Sequence, residues 1–155
     1  MKKSVLALTT AFLAVAANIY AFDPSSALKV EGSVKEYIKT SYTITEKFGD
    51  YYRSPKSKYV HVFDARGRQT ETSELTAKDS LVDRLVYNYD AAGNLTTTIG
   101  YDSDGKVAWK SVATFDAKGN KTEESEYNAS DMLVNKSIWK ITAGKQSEEA
   151  YYNAD

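Results

Sequence analysis

The chain has 155 residues, 20 basic against 21 acidic side chains, one histidine and no cysteine. Near-balanced charge without basic clusters argues against nucleic acid as a partner. Without cysteine there are no disulfides, and a single histidine rules out the usual zinc ligand sets, so neither a metal nor a cofactor is expected.

Residues 1–21 read as a separate object. Lys2 and Lys3 precede a short apolar run over residues 5–17, and Ala21, with Ile19 at the −3 position, closes the segment before Asp23 and Pro24. This layout predicts a secretory signal peptide of bacterial Sec type, too short in its apolar run to span a bilayer. A cut after Ala16 also fits the pattern. Lipoprotein anchoring is not expected without a cysteine, so the mature chain is expected in the periplasm or outside the cell. Cleavage after Ala21 leaves 18 basic against 21 acidic residues, a formal charge of −3.

Residues 22–59 form the entry to the domain. Strands are expected over residues 33–47 (SVKEYIKTSYTITEK) and 58–63 (KYVHVF), rich in β-branched and aromatic side chains. Gly49, Asp50 and Pro55 mark residues 48–57 as a connecting loop. Tyr51 and Tyr52 fall in it. A loop that stands outside the repeated part of a chain is a natural place for a specific contact.

From residue 60 onward the chain is periodic, and residues 60–155 read as hairpin repeats continuous with the entry in one domain. Residues 63–88, 89–114 and 115–140 align without gaps at a 26-residue spacing. They open on Phe63-Asp64-Ala65-Arg66-Gly67, Tyr89-Asp90-Ala91-Ala92-Gly93 and Phe115-Asp116-Ala117-Lys118-Gly119. Each carries a second turn, at Leu75-Thr76-Ala77-Lys78-Asp79, Tyr101-Asp102-Ser103-Asp104-Gly105 and Tyr127-Asn128-Ala129-Ser130-Asp131. A fourth copy starts at Ile141 with one residue deleted and recovers the frame at Tyr152-Asn153-Ala154. Asp or Asn at the first turn position accepts from backbone N–H groups two or three residues on, and Gly closes the turn at positive φ. Asp79 and Asp131 are expected to stand in for Gly.

Strand-like runs separate these turns, and no stretch keeps a helical apolar period. The expected fold is therefore all-β: an antiparallel meander of about nine strands, built from tandem hairpins in one twisted or coiled sheet. Four-residue loops would set Glu71 opposite Arg84, Thr97 opposite Lys110 and Glu123 opposite Lys136. Both faces come out mixed. One carries Val86, Ile99, Tyr101, Val112, Tyr127 and Ile138; the other carries Leu85, Tyr87, Tyr89, Trp109, Phe115 and Trp139.

Catalytic chemistry finds little support. His61, between Val60 and Val62, is expected to face outward or pack. Asp64, Asp90, Asp102 and Asp116 are explained by the turns, and no Gly-x-Ser-x-Gly elbow occurs. The turns also lack the glycine-rich pattern of calcium-binding rolls. The functional hint is aromatic: Tyr87, Tyr89, Trp109, Phe115 and Trp139 on one face could meet a sugar or a protein partner, or could support the sheet as a cross-strand ladder.

The motif Tyr/Phe-Asp-x-x-Gly-(Asn/Arg/Lys), clearest at residues 89–94, 101–106 and 115–120, resembles the YD (RHS-type) repeat. In its large members the resemblance implies strips of β-hairpins spiralling into a shell around a toxin. Other members are surface proteins with ascribed carbohydrate binding. This chain is more similar to small exported bacterial proteins with a few such repeats, and residues 28–35 (LKVEGSVK) are similar to their entry strand. The expectation is an exported, non-enzymatic binding protein with a protein partner. The alternatives are a glycan-binding module using the aromatic face and a self-associating protein joined through exposed edge strands.

Overall fold

A computed structural model describes residues 33–153; the expected signal peptide and residues 22–32 lie outside the described residues. The described chain is all-β. It comprises β1 (Glu36–Lys47), β2 (Asp50–Phe63), β3 (Gln69–Thr76), β4 (Leu81–Tyr89), β5 (Leu95–Tyr101), β6 (Val107–Phe115), β7 (Lys121–Asn128), β8 (Leu133–Thr142) and β9 (Lys145–Asn153). The nine strands form one sheet in sequence order, each antiparallel to the next, with β1 and β9 at the edges.

One turn design recurs six times. At Asp64 the backbone N–H donates to the Arg68 carbonyl at 2.9 Å, and the Gly67 N–H donates to the Asp64 carbonyl at 3.0 Å. The same pair of bonds is found at Thr76, Asp90, Asp102, Asp116 and Asn128. This is a three-residue hairpin loop whose last residue must take positive φ. Glycine does so at 67, 93, 105 and 119, and Asp79 and Asp131 do so at φ 63° and 58°.

The first side chain holds the turn together. Asp116 Oδ1 accepts from the Lys118 and Asn120 N–H groups at 2.8 and 2.9 Å. Asn128 Oδ1 and Thr76 Oγ1 accept from the same two positions in their own turns. The acceptance is therefore at two and four residues on, and not at two or three. The residue after the glycine answers with its side chain: Asn94 Nδ2 donates to Asp90 Oδ2, and Asn120 Nδ2 to Asp116 Oδ2, both at 2.8 Å. Arg68 does the same for Asp64 through Nε. These contacts account for Asp at the first position and for Asn or Arg after the glycine; Lys106 instead reaches Asp104, at 3.4 Å.

A β-bulge follows each of these turns. Val62 pairs with Glu71 but Phe63 with Gln69, which leaves Thr70 as the extra residue. Thr96 and Thr122 hold the equivalent places on β5 and β7. Their hydroxyls donate across the bulge to the carbonyls of Val62, Asn88 and Thr114, at 3.2–3.3 Å. Bulges bend a strand and raise local twist, so a threonine-clamped bulge at every second turn builds curvature into the sheet at a fixed period.

The strand register differs from the expected one by two residues. Arg84 lies opposite Ser73, Lys110 opposite Ile99 and Lys136 opposite Ser125. One residue of the shift comes from the three-residue loop and the other from the bulge. A shift of two preserves which face a side chain occupies. Glu123 therefore still reaches Lys136 diagonally, at 2.7 Å. The front face carries Val62, Val86, Ile99 and Val112, and the back face carries Leu85, Tyr87 and Trp109.

The loop expected over residues 48–57 is not there. Lys47 pairs with Asp50, and Phe48 and Gly49 alone make the turn, both at positive φ. Tyr51 and Tyr52 are strand residues of β2. Pro55 is tolerated because β3 joins β2 only from Ser57 onward, so the missing N–H breaks no ladder bond on that side. The deleted residue of the fourth copy has a matching effect: it shortens the β8–β9 loop to Ala143-Gly144, again at positive φ.

With one layer, little is enclosed. Gln69, Ser73, Gly100, Ala113 and Ser125 are buried, and no large side chain among the described residues is fully buried. Side chains instead cover their cross-strand neighbours, which is the unit of stabilisation in such a sheet. No helix among the described residues is long and apolar enough to cross a membrane.

Candidate functional site

The most exposed apolar surface belongs to the β1–β2 hairpin. Since β3 stops at the level of Ser57, residues 42–56 project as a two-stranded arm. Every residue of that arm is exposed. Phe48 at its tip is 104% exposed, Tyr51 75% and Ile44 68%, the three highest values among the large apolar side chains described. Tyr42, Ile44 and Glu46 share a face with Pro55, Arg53 and Tyr51. The Arg53 guanidinium lies 4.2 Å from the Tyr42 ring centre, and Tyr52 sits on the opposite face beside Thr45. An isolated two-stranded ribbon is at best marginally stable in water, and a bulky side chain at positive φ costs about 1–2 kcal/mol. The arm therefore holds Phe48 in solvent at a cost in stability.

The aromatic residues of the back face are placed differently. Tyr87 shares a row with Thr98, Ser111 and Glu126, and Trp109 shares the next with Leu85, Gly100 and Asn128. Tyr89, Phe115 and Trp139 lie on β4, β6 and β8, each separated from the next by an intervening strand. None of these five rings stacks on another. Tyr89, Tyr87 and Trp109 each have their own surroundings, and the Lys121 Nζ lies 5.9 Å from the Trp139 ring centre. The Tyr89 hydroxyl donates to the Gln69 carbonyl at 2.8 Å under the Arg68 guanidinium, and burial raises its pKa. Tyr87 is more deeply set, and burial raises its pKa as well. The Trp109 indole lies against Gly100, within 3 Å of where a Cβ would be. A hollow bounded by Thr98, Ser111, Phe115, Lys121 and Glu124 has a volume of about 90 Å³, well below the roughly 300–1,000 Å³ of small-molecule sites.

His61 packs on the back face. Its ring stacks on Tyr37 with centroids 5.7 Å apart, and Thr72 Oγ1 lies 3.4 Å from Nδ1. Burial, aided by Lys39, lowers its pKa below 6.5. The neutral ring is therefore the form the fold favours. Above pH 6.5 its contribution to stability is complete, and it is lost as pH falls through the lowered folded value. Stability should decline as pH falls below 6.5, and His61→Phe should flatten that slope in denaturant titrations. An unchanged slope would show that His61 does not carry it.

Two carboxylates, Glu74 and Asp83, oppose each other on the back face. Burial and the Glu74 charge raise the Asp83 pKa. Groups of three or more metal-ligating side chains are absent among the described residues.

No family model and no curated protein matches this chain. Among solved structures it is similar to a DUF3836 family protein from Parabacteroides distasonis, at 12% identity and a TM-score of 0.25, over 76% of this chain and 92% of that one.

Proposed function

We propose that this chain is an exported, non-enzymatic binding protein that takes a protein partner through its β1–β2 arm. The observation that supports this reading is the projecting arm itself, with Ile44, Phe48 and Tyr51 in solvent. Clustered exposed apolar side chains on a ribbon with both outer edges open suit capture of another polypeptide. Export rests on the layout of residues 1–21, and kinship with small YD-type repeat proteins rests on the turn motif.

The test is capture of partners by tagged residues 22–155 from envelope and culture fractions of the producing cell. One protein should be recovered in stoichiometric amount. A variant carrying Ile44→Thr, Phe48→Asn and Tyr51→Thr should lose it. Asn takes positive φ readily, so this variant should melt no lower than the parent. Undiminished capture by the variant would remove the arm from the site. Retention on polysaccharide in place of any protein would favour glycan binding.

A further inference from the structure

Lys58, Arg84, Lys110 and Lys136 occupy one repeat position, at 26-residue intervals on the front face. Three of the four are neutralised. Lys58 pairs with Asp79, and Lys110 pairs with Asp131 at 2.5 Å. Both aspartates are the positive-φ residues of the next second-half turn. Lys136 pairs with Glu123 at 2.7 Å.

The exception is Arg84. The turn residue that would serve it is Gly105. Its diagonal acid, Glu71, accepts from the Ser73 hydroxyl at 3.1 Å, and Arg84 forms no ion pair among the described residues. Its guanidinium lies 4.3 Å from the Tyr101 ring centre, and its Nε is enclosed without a hydrogen-bond partner among the described residues. Two changes thus coincide at one position: arginine where the other copies have lysine, and glycine where two copies have the neutralising aspartate. Nothing lies within 4 Å of where a Gly105 Cβ would be, so the turn supplies no side chain in the place of Asp79 and Asp131 and has room for one.

From this we infer that Arg84, Tyr101 and the opening at Gly105 form a binding site for a carboxylate carried by an acidic peptide segment of a partner protein. Arginine presents a planar fork that matches a carboxylate, which lysine does not. The Tyr101 ring supports the guanidinium from one side, and the carboxylate meets its terminal nitrogens. A peptide fits the surroundings, because Ile38, Val60, Ser73, Arg84 and Tyr101 form one cross-strand row. An acidic segment with an apolar neighbour could lie along that row. The choice of peptide rests on the protein-partner reading; the site itself stands on residues outside the arm.

The experiment is a titration of residues 22–155 with an acetylated, amidated Glu-rich hexapeptide at about 0.15 M salt, where weak non-specific attraction is screened. Nuclear magnetic resonance of the arginine Nε–H groups reads Arg84 directly. The peptide should shift that signal saturably. Arg84→Gln should weaken binding by at least about tenfold, the loss of one charge-assisted pair. Gly105→Asp should do the same by restoring the internal pair; it keeps the fold because aspartate already holds this conformation at 79 and 131. Glu71→Gln should tighten binding by removing the competing charge. The triple arm variant should bind the peptide as the parent does, which separates this result from failure of the arm reading. An unsaturable response, undiminished binding by Gly105→Asp, or binding of an oligogalacturonate but not of the peptide would overturn the proposal.

Discussion

Replacing Gly100 with alanine should destabilise the sheet by about 2 kcal/mol, the usual cost of overpacking a fitted contact. A Cβ at Gly100 would lie 2.2 Å from the Trp109 Nε1 and 2.4 Å from its Cε2. The two residues are direct cross-strand partners, so the indole cannot move aside without leaving the row. Trp109→Ala alone should also destabilise, by about 2 kcal/mol, because a half-buried ring loses its seat. The decisive comparison is the double variant. In a Trp109→Ala background, Gly100→Ala should be neutral or mildly stabilising, since glycine in an unobstructed strand is itself unfavourable by about 0.5–1 kcal/mol. Denaturant melts of the four proteins close the cycle. Additive losses would show that the ring and the glycine do not depend on one another. The cycle also bears on glycan binding: a tryptophan that lies on the backbone is committed to the sheet and cannot swing out to meet a sugar.

A second large effect is expected at the turns. Asn128→Ala removes an acceptor shared by the Ser130 and Met132 N–H groups and should cost about 1 kcal/mol, as loss of a comparable helix cap does. Asp116→Ala should lower the melting temperature at neutral pH for the same reason. The two should part company in acid. The side-chain bond from Asn120, with the backbone bonds from Asn120 and Lys118, holds the Asp116 pKa below 3.8. Its stabilisation is present above 3.8 and is lost as pH falls through the lowered folded value. The Asp116→Ala deficit should therefore shrink at low pH, while the Asn128→Ala deficit persists. Melts across pH 7 to 2 would show it, and parallel curves would rule out ionised Asp116 as the clamp.

The turns were legible because their chemistry is local. Asp at the first position, Gly at the last, and Asp79 and Asp131 as replacements all follow from backbone sterics. Strand number and order came with them, since short loops leave an antiparallel neighbour as the only choice. The register was harder. The bulges that shift it leave Val82, Ala108 and Val134 as the extra residues, and nothing in an apolar strand residue announces a bulge. Only the alternate hairpins carry a polar sign of theirs, the hydroxyls of Thr70, Thr96 and Thr122. Pro55 misled for a different reason: proline breaks a strand only where its N–H is needed, and that depends on where β3 ends. The broken cation pair at Arg84 was present in the 26-residue alignment. It became readable once Asp79 and Asp131 were seen to pair with Lys58 and Lys110, because residues 21 apart had no evident reason to meet.

Strictly sequential pairing makes this sheet editable in length. Among the described residues each strand hydrogen-bonds only with its chain neighbours, so excising residues 89–114 would bring Asn88 onto Phe115 and regenerate a proper hairpin, shorter by two strands and roughly 10 Å. Duplication would lengthen it by the same step, with no core to repack. Loss of one unit would also move Asp131 into the place now held by Gly105, supplying Arg84 with a turn aspartate. Copy number alone could thus switch that position between open and self-neutralised, a route by which recombination between repeats could alter binding without changing any codon.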